Sequence, residues 1–429
     1  MKEKFIKSTL ILLIGGLITK ILGMLIKIVM AREIGTSGLG TYMLILPTFM
    51  LLINLSQFGF PIALAKLISE ENRSSKKLFF TIIPFIIIIN IILMIVIIFS
   101  APFISNNLLH NSDTYLAIIA MALVIPFTSI SSLCRSYFFG KNRMFPHTLS
   151  HIIENIVRLL IMIFGLNYVI HLELKYIVCF LILINIISEI VSSVILIIFL
   201  PKNISIKKSD FIPNKKYLKD SLNICIPNTT SRLIGSIGFF LEPIILTNTL
   251  IKSGYSSSYI TTEYGIISGY VIPLILLPSF FTLAISEALL PVISKDYSIN
   301  NIKAIRKKVS LAILLSLMIG IPITLLLVIN PTLPLELIYH TNKGINYIKI
   351  LAPICLFQYI ESPLASVLDA LGKSKDNMIA TFLSTSSRTL LLLILPLFNL
   401  GIYSLIIAIS INIIITTLYQ IKKVRYYLT

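Results

Sequence analysis

Residues 8–30 have the sequence STLILLIGGLITKILGMLIKIVM, an apolar stretch long enough to cross a lipid bilayer as one helix. At about 100° per residue, Gly16, Lys20, Gly23 and Lys27 share one narrow stripe of that helix. A cation inside a membrane helix is costly and usually faces a polar cavity or a partner. No Asp or Glu lies in the stretch, so the pattern predicts a membrane protein whose cationic internal cavity suits an anionic cargo.

Long apolar segments continue through the whole chain. Of its 429 residues, 56% are hydrophobic, and no large soluble domain fits between the apolar runs. The pattern predicts an all-α integral membrane protein with about twelve transmembrane helices. The expected spans are 8–30, 42–68, 78–102, 114–138, 146–169, 176–200, 221–248, 264–292, 309–330, 347–370, 378–398 and 401–420.

The basic residues outside these spans follow an alternating pattern. Most of them lie at the two ends and in alternate connections, namely residues 2–7, 73–77, 141–143, 202–219, 295–308, 373–375 and 422–425. The opposite loops hold Arg32, Lys175, Lys252 and Lys343. The positive-inside rule then predicts a protein of the cytoplasmic membrane with both termini in the cytoplasm. This distribution accounts for the net charge of +18 without a nucleic-acid partner.

The two halves of the chain show signs of an internal repeat. The sequence Arg232-Leu-Ile-Gly235 matches Lys20-Ile-Leu-Gly23, and residues 265–296 and 372–375 match residues 40–71 and 140–143. The expected domains are 1–210, which includes the start of the basic linker, and 211–429. Six spans in each half give both halves the same orientation, which predicts two pseudo-symmetric six-helix lobes around a central cavity.

The repeat places Lys20 and Arg232 at equivalent positions near mid-membrane, with Lys27 nearer the outer surface. Arginine binds phosphate oxygens in a bidentate way and lysine binds them as a point charge, so these three cations are the candidate substrate-binding residues. Asn228 and Ser236 share a helix face with Arg232 and are candidate polar residues of the cavity. The alternative is that the cations pair with buried carboxylates elsewhere.

Further charged residues inside predicted spans include Glu154, Arg158 and Glu189. Glu154 and Arg158 are four residues apart and can neutralise each other. Glu189 has no such neighbour in its span, so it is a candidate for Na⁺ or H⁺ coupling or for a pair with a lysine. His147 and His151 have metal-like spacing without a third ligand, and no metal site is expected.

Motifs of catalysis and nucleotide binding are absent from the sequence. It contains no GxxxxGK[ST] phosphate loop, no GxSxG and no HExxH. We therefore expect no catalytic residues, no cofactor and no enzymatic activity.

Several motifs together are typical of one protein family. They lie at residues 7–23, 31–42, 59–63, 135–141 with Glu154 and Arg158 downstream, and 371–373. These motifs resemble the stage V sporulation protein B family of the multidrug/oligosaccharidyl-lipid/polysaccharide flippase superfamily. The resemblance extends over essentially the whole chain. It implies two six-helix lobes around a central cavity and export of an undecaprenyl-diphosphate-linked saccharide, with peptidoglycan lipid II for spore cortex or cell wall as the expected cargo. Cell-wall synthesis proteins are candidate partners.

The sequence therefore favours a flippase that works by alternating access in the bilayer. The closest alternative is a multidrug or cation antiporter of the same superfamily, but cationic drugs require acidic cavity residues where the first span has lysines. A membrane glycosyltransferase would need catalytic carboxylates on an accessible loop, and the outer loops are short. A non-transporting scaffold in a cell-wall complex stays open at this point.

Overall fold

A computed structural model of the chain describes residues 2–70, 74–200 and 213–428, and no β-strand occurs within those ranges. The α-helices are α1 (Lys2–Glu33), α2 (Gly35–Gln57), α3 (Phe60–Ser69), α4 (Ser75–Phe103), α5 (Tyr115–Gly140), α6 (Met144–Val169), α7 (Leu174–Ile198), α8 (Lys215–Lys252), α9 (Ser257–Gly265), α10 (Ile272–Ile275), α11 (Ser279–Ser298), α12 (Ile302–Ile329), α13 (Thr332–Tyr339), α14 (Ile345–Ala370), α15 (Ser374–Ile394) and α16 (Tyr403–Leu428).

Among the described residues, eleven helices are long and apolar enough to cross a membrane, and the number is twelve if one bent pair forms a single span. The bent pair consists of residues 257–275 and 279–298. The prediction of an all-α membrane protein with about twelve spans is therefore confirmed.

The second predicted span, 42–68, is interrupted near its middle. Phe58 and Gly59 have left-handed backbone angles, with φ of 44° and 67°, so α2 ends there and α3 begins with Pro61 in its first turn. A Cβ on Gly59 would lie 2.8 Å from Thr229 Oγ1 and 3.1 Å from the Cys225 carbonyl oxygen. The break therefore brings the chain into direct backbone contact with α8.

A buried polar cluster lies beside this break. Asn90 Nδ2 donates a hydrogen bond to the Ser56 carbonyl oxygen at 3.3 Å. Ser129 Oγ lies 2.9 Å from Ser56 Oγ and 3.2 Å from Asn90 Oδ1. Because a helix break in a membrane frees backbone carbonyls that water cannot reach, such side chains replace the lost hydrogen bonds.

The predicted span 264–292 is also interrupted. After α9 the chain forms a π-helical turn over residues 266–271, continues as α10 and then bends by 54° before α11. Pro273 lies in the first turn of α10, and Pro278 immediately precedes α11. Proline cannot donate the backbone hydrogen bond of a continuous helix, so these positions suit the breaks.

The chain divides into two compact units, Met1–Phe240 and Leu241–Thr429. This division lies within α8, later in the chain than the boundary 210/211 that the sequence indicates. The reason is that the first part of α8 packs with the N-terminal spans, where Cys225 is buried in one apolar cluster with Phe60, Leu64 and Leu133. The second unit has an apolar cluster of its own, which includes Ile293, Ile305, Val367, Leu368 and Val424.

We predict that Gly59→Ala destabilises the protein more than Gly35→Ala. Both glycines have positive φ, 67° and 65°, and an alanine at either position costs about 1 kcal/mol or more in backbone strain. Gly35 has no described atom within 4 Å of an added Cβ, whereas Gly59 meets α8. Thermal unfolding of the purified protein measures the difference, and equal melting temperatures of the two variants would contradict the close approach.

Candidate functional site

One face of α1 packs against α6. A Cβ on Gly15 would lie only 1.7 Å from Thr148 Cγ2, so the Thr148 side chain packs directly on the backbone of α1 at this glycine. Ile26 and Met30 are buried on the same face of α1. The stripe of Gly16, Lys20, Gly23 and Lys27 is rotated about 100° from this packing face.

The cation-bearing stripe of α1 borders open space. A Cβ placed on Gly16 or Gly23 would have no atom within 4 Å outside its own helix, counting the described residues. Lys20 is half-buried and Lys27 is exposed. The glycines therefore leave room beside the two lysines.

A second open face lies on α8. Arg232 is exposed, and a Cβ on Gly235 would again have no described atom within 4 Å. Ser236 Oγ accepts a hydrogen bond from Asn54 Nδ2 of α2 at 2.7 Å and donates one to the Arg232 carbonyl oxygen at 3.0 Å. The side chain of Asn228 lies outside the described residues.

Helix α2 is the neighbour that the two cation-bearing helices share. It bonds to α8 through Asn54 and also contacts α1. Lys20, Lys27 and Arg232 all belong to the unit Met1–Phe240. Their role in holding a cargo stays a prediction.

Glu189 lies apart from these cations, in a buried cluster that joins three helices. Arg135 Nη2 of α5 lies 2.5 Å from Glu154 Oε2 of α6 and 2.8 Å from Glu189 Oε2 of α7. The same nitrogen donates a hydrogen bond to Ser192 Oγ at 2.8 Å. Arg158 Nη2 lies 2.5 Å from Glu154 Oε1, which confirms the pairing within α6 that the spacing indicates.

The four residues Arg135, Glu154, Arg158 and Glu189, hereafter the arginine–glutamate cluster, carry two positive and two negative formal charges. Charges buried in a membrane protein are tolerated when they are paired in this way. Arg135 was not among the candidate residues of the sequence analysis. The sequence does contain a signal for it, because Glu189 requires a cation on another span and Arg135 lies inside the fourth predicted span, 114–138.

A related pair lies in the second unit. Arg388 Nη2 of α15 lies 2.5 Å from Glu242 Oε2 of α8, and the Tyr264 hydroxyl donates to Glu242 Oε1 at 3.4 Å. Glu242 is therefore buried in the middle of the span Arg232–Lys252, and not near a span end as its sequence position indicates. Arg135 and Arg158 in the first unit and Arg388 in the second unit are thus each paired with a buried glutamate.

We predict that Arg135→Met strongly destabilises the protein, because it leaves Glu154 and Glu189 sharing a buried site without their common cation. Breaking a buried ion pair from one side costs about 3–5 kcal/mol. Arg143→Met, at an exposed position just after α5, is the matched control and should have little effect. Thermal unfolding in detergent measures both, and similar melting temperatures would contradict the structural role of the cluster.

A family model described as polysaccharide biosynthesis protein matches residues 5–297, and a second model, MatE, matches residues 267–394. The chain belongs to the polysaccharide biosynthesis protein family. It is 30% identical to stage V sporulation protein B of Bacillus subtilis, over 97% of this chain and 83% of the relative. It is 22% identical to the lipid II flippase MurJ of the same organism, over 93% of this chain and 78% of the relative.

Solved structures of similar fold agree with this assignment. A structure of the lipid II flippase MurJ in an inward closed conformation has a TM-score of 0.73 at 18% identity, covering 96% of this chain and 87% of that one. An inward-facing multidrug resistance MATE family transporter of the MOP superfamily has a TM-score of 0.72 at 17% identity, covering 96% and 94%. The chain therefore shares the multi-pass membrane fold of these proteins.

Proposed function

We propose that the protein is a flippase that moves an undecaprenyl-diphosphate-linked saccharide across the cytoplasmic membrane, with peptidoglycan lipid II as the cargo. The observation that carries this proposal is the set of three cations, Lys20, Lys27 and Arg232, on two helix faces that border open space. An anionic diphosphate is the kind of cargo that arginine and lysine side chains attract.

The proposed mechanism uses this charge balance. The diphosphate binds to Lys20, Lys27 and Arg232 from the cytoplasmic side, with Asn228 and Ser236 as further polar contacts. Alternating access then exposes the headgroup on the outside while the lipid tail stays in the bilayer. The cations offset the cost of moving a charged headgroup through a low-dielectric region.

The contrast with the other membrane-embedded arginines supports this proposal. Arg135, Arg158 and Arg388 each contact a buried glutamate. Arg232 lies instead on an exposed helix face, next to a glycine with open space beside it. The names of two relatives, a sporulation protein and a lipid II flippase, favour a cell-wall precursor as the cargo.

Glu189 is our candidate for ion coupling. It shares Arg135 with Glu154, so one cation serves two carboxylates in this part of the arginine–glutamate cluster. Binding of H⁺ or Na⁺ at Glu189 would release its hold on Arg135 and loosen the contact between α5 and α7. Ion binding at Glu189 would therefore change how the helices of the first unit pack.

The cation antiporter is the second candidate function, since the MatE model matches part of the second half. A cationic drug next to Lys20, Lys27 and Arg232 would meet like charges in a low-dielectric site, which is unfavourable. The charge of these two faces therefore favours the flippase over the antiporter.

We predict that Lys20→Ala and Arg232→Ala abolish transport while the protein still accumulates in the membrane, because each removes a cation that balances the diphosphate. The charge-keeping variants Lys20→Arg and Arg232→Lys should retain more activity than the alanine variants. Lys349→Ala removes an exposed lysine near the start of α14 and is the matched control. Complementation of a deletion strain measures activity, and full complementation by the double alanine variant would rule out cargo binding by these cations.

We also predict that both termini are cytoplasmic. Single cysteines placed at Asn107, Ser256 and Asn342 in a background free of native cysteines should react with a membrane-impermeant maleimide added to intact cells. Cysteines at Lys141 and Lys208 should react only after the cells are opened; Lys208 lies outside the described residues, whereas the other four positions are exposed. Labelling of the cysteine at position 141 from outside would show that the topology is the opposite of the one predicted.

A further inference from the structure

A polar cavity of about 480 Å³, open to solvent, lies wholly within the second unit. The residues that matter for its chemistry are Glu263, Asn342, Lys343, Asn346, Tyr347 and Tyr403. They come from the first turns of α14 and α16, from the loop before α14 and from α9. Because successive spans alternate in direction, these ends lie on the membrane side opposite the termini, which is the outer side under the proposed topology.

The loop that forms one wall is held in place by a glycine. Gly344 has φ of +94°, and an added Cβ would lie 2.7 Å from Val271 Cγ2 and 3.0 Å from Ile266 Cγ2. The loop backbone therefore packs directly on the π-helical turn at residues 266–271. Asn342 and Asn346, on either side of this anchor, are exposed at the cavity.

A hydrogen bond fixes the orientation of the Glu263 carboxylate in the cavity wall. The Tyr347 hydroxyl donates a hydrogen bond to Glu263 Oε2 at 2.5 Å. A carboxylate has about four acceptor positions, so Glu263 retains capacity to accept further hydrogen bonds from a ligand. The tyrosine fixes where those acceptors point.

Two aromatic rings form a corner of the same cavity. The ring centroids of Tyr347 and Tyr403 lie 5.5 Å apart, and the ring planes are 75° to each other. Tyr403 is 39% exposed. An exposed tyrosine ring offers an apolar face with a polar edge, which suits a ligand that has both.

The charged residues of the cavity indicate which class of ligand it can bind. Glu263 disfavours an anion and Lys343 disfavours a cation, whereas the Asn342 and Asn346 amides both donate and accept hydrogen bonds. A neutral ring with hydroxyl groups on its edge and C–H groups on its face satisfies all of these groups.

We propose that this cavity binds a neutral pyranose saccharide, with a ring face on Tyr403 and hydroxyls on Glu263, Asn342 and Asn346. Its place in transport rests on the proposed function: the saccharide is the headgroup of the cargo, held on the side where it is released. The cavity thus recognises sugar, while the cations of the first unit recognise diphosphate.

The test measures binding of two soluble probes to the purified full-length protein by saturation-transfer NMR and titration. One probe is N,N′-diacetylchitobiose, a neutral disaccharide, and the other is inorganic pyrophosphate. Tyr403→Ala should weaken disaccharide binding about tenfold, the size of a lost aromatic contact, and leave pyrophosphate binding unchanged. Tyr403→Phe keeps the ring and should retain disaccharide binding, which separates loss of contact from misfolding.

Tyr168→Ala removes a more exposed tyrosine, 85% exposed at the end of α6, and is the matched control that should not change disaccharide binding. Absence of disaccharide binding to the wild type, or equal binding by Tyr403→Ala, would overturn the inference. An effect of Tyr403→Ala on pyrophosphate alone would also overturn it. The proposed function is tested separately: pyrophosphate binding that is unchanged in Arg232→Ala would contradict it without affecting the saccharide inference.

Discussion

The cost of placing a charge inside a lipid bilayer governs this structure. Arg135 and Arg158 contact Glu154, Arg135 also contacts Glu189, and these contacts join α5, α6 and α7. The same constraint applies to the cations of α1 and α8, yet those lie on helix faces with glycines and open space beside them. The ion pairs of Arg135 and Arg158 join helices, whereas the cations of α1 and α8 are the residues that we propose contact the cargo.

The interruption of the second predicted span lies next to the helix that carries Arg232. Gly59 allows the chain to turn and to approach α8 at Cys225 and Thr229. Just before the break, Asn54 reaches Ser236, one turn beyond Arg232 on α8. Gly59 at the break and Asn54 just before it therefore both contact the part of α8 near Arg232, and the polar cluster of Ser56, Asn90 and Ser129 lies beside the break.

Hydropathy and loop charge predict the spans because both are local properties of the sequence. The breaks are harder to predict. Pro61 is visible in the sequence, but the left-handed Phe58 before it depends on contacts with α4, α5 and α8. The pairing of Arg135 with Glu189 depends on which faces of α5 and α7 meet, which a single sequence does not show.

The cationic stripe of α1 and the polar cavity of the second unit also differ in how far the sequence predicts them. The stripe of α1 follows from helical periodicity within one segment, so the sequence alone predicts it. The cavity combines Glu263, residues 342–347 and Tyr403, which are distant along the chain and meet only in the fold. Its position at the ends of the spans, on the side opposite the termini, is consistent with a transporter that receives and releases its cargo on different sides of the membrane.

The most direct test of the flippase is the side of the membrane on which the headgroup is accessible. In cells depleted of this protein, and in proteoliposomes that contain it, the accessibility of the lipid II headgroup to an impermeant modifying enzyme can be measured over time. The account predicts that depletion reduces outside accessibility and that reconstitution restores transfer, while a cationic dye such as ethidium is not moved. Export of ethidium with no transfer of lipid II would contradict the account and favour the antiporter.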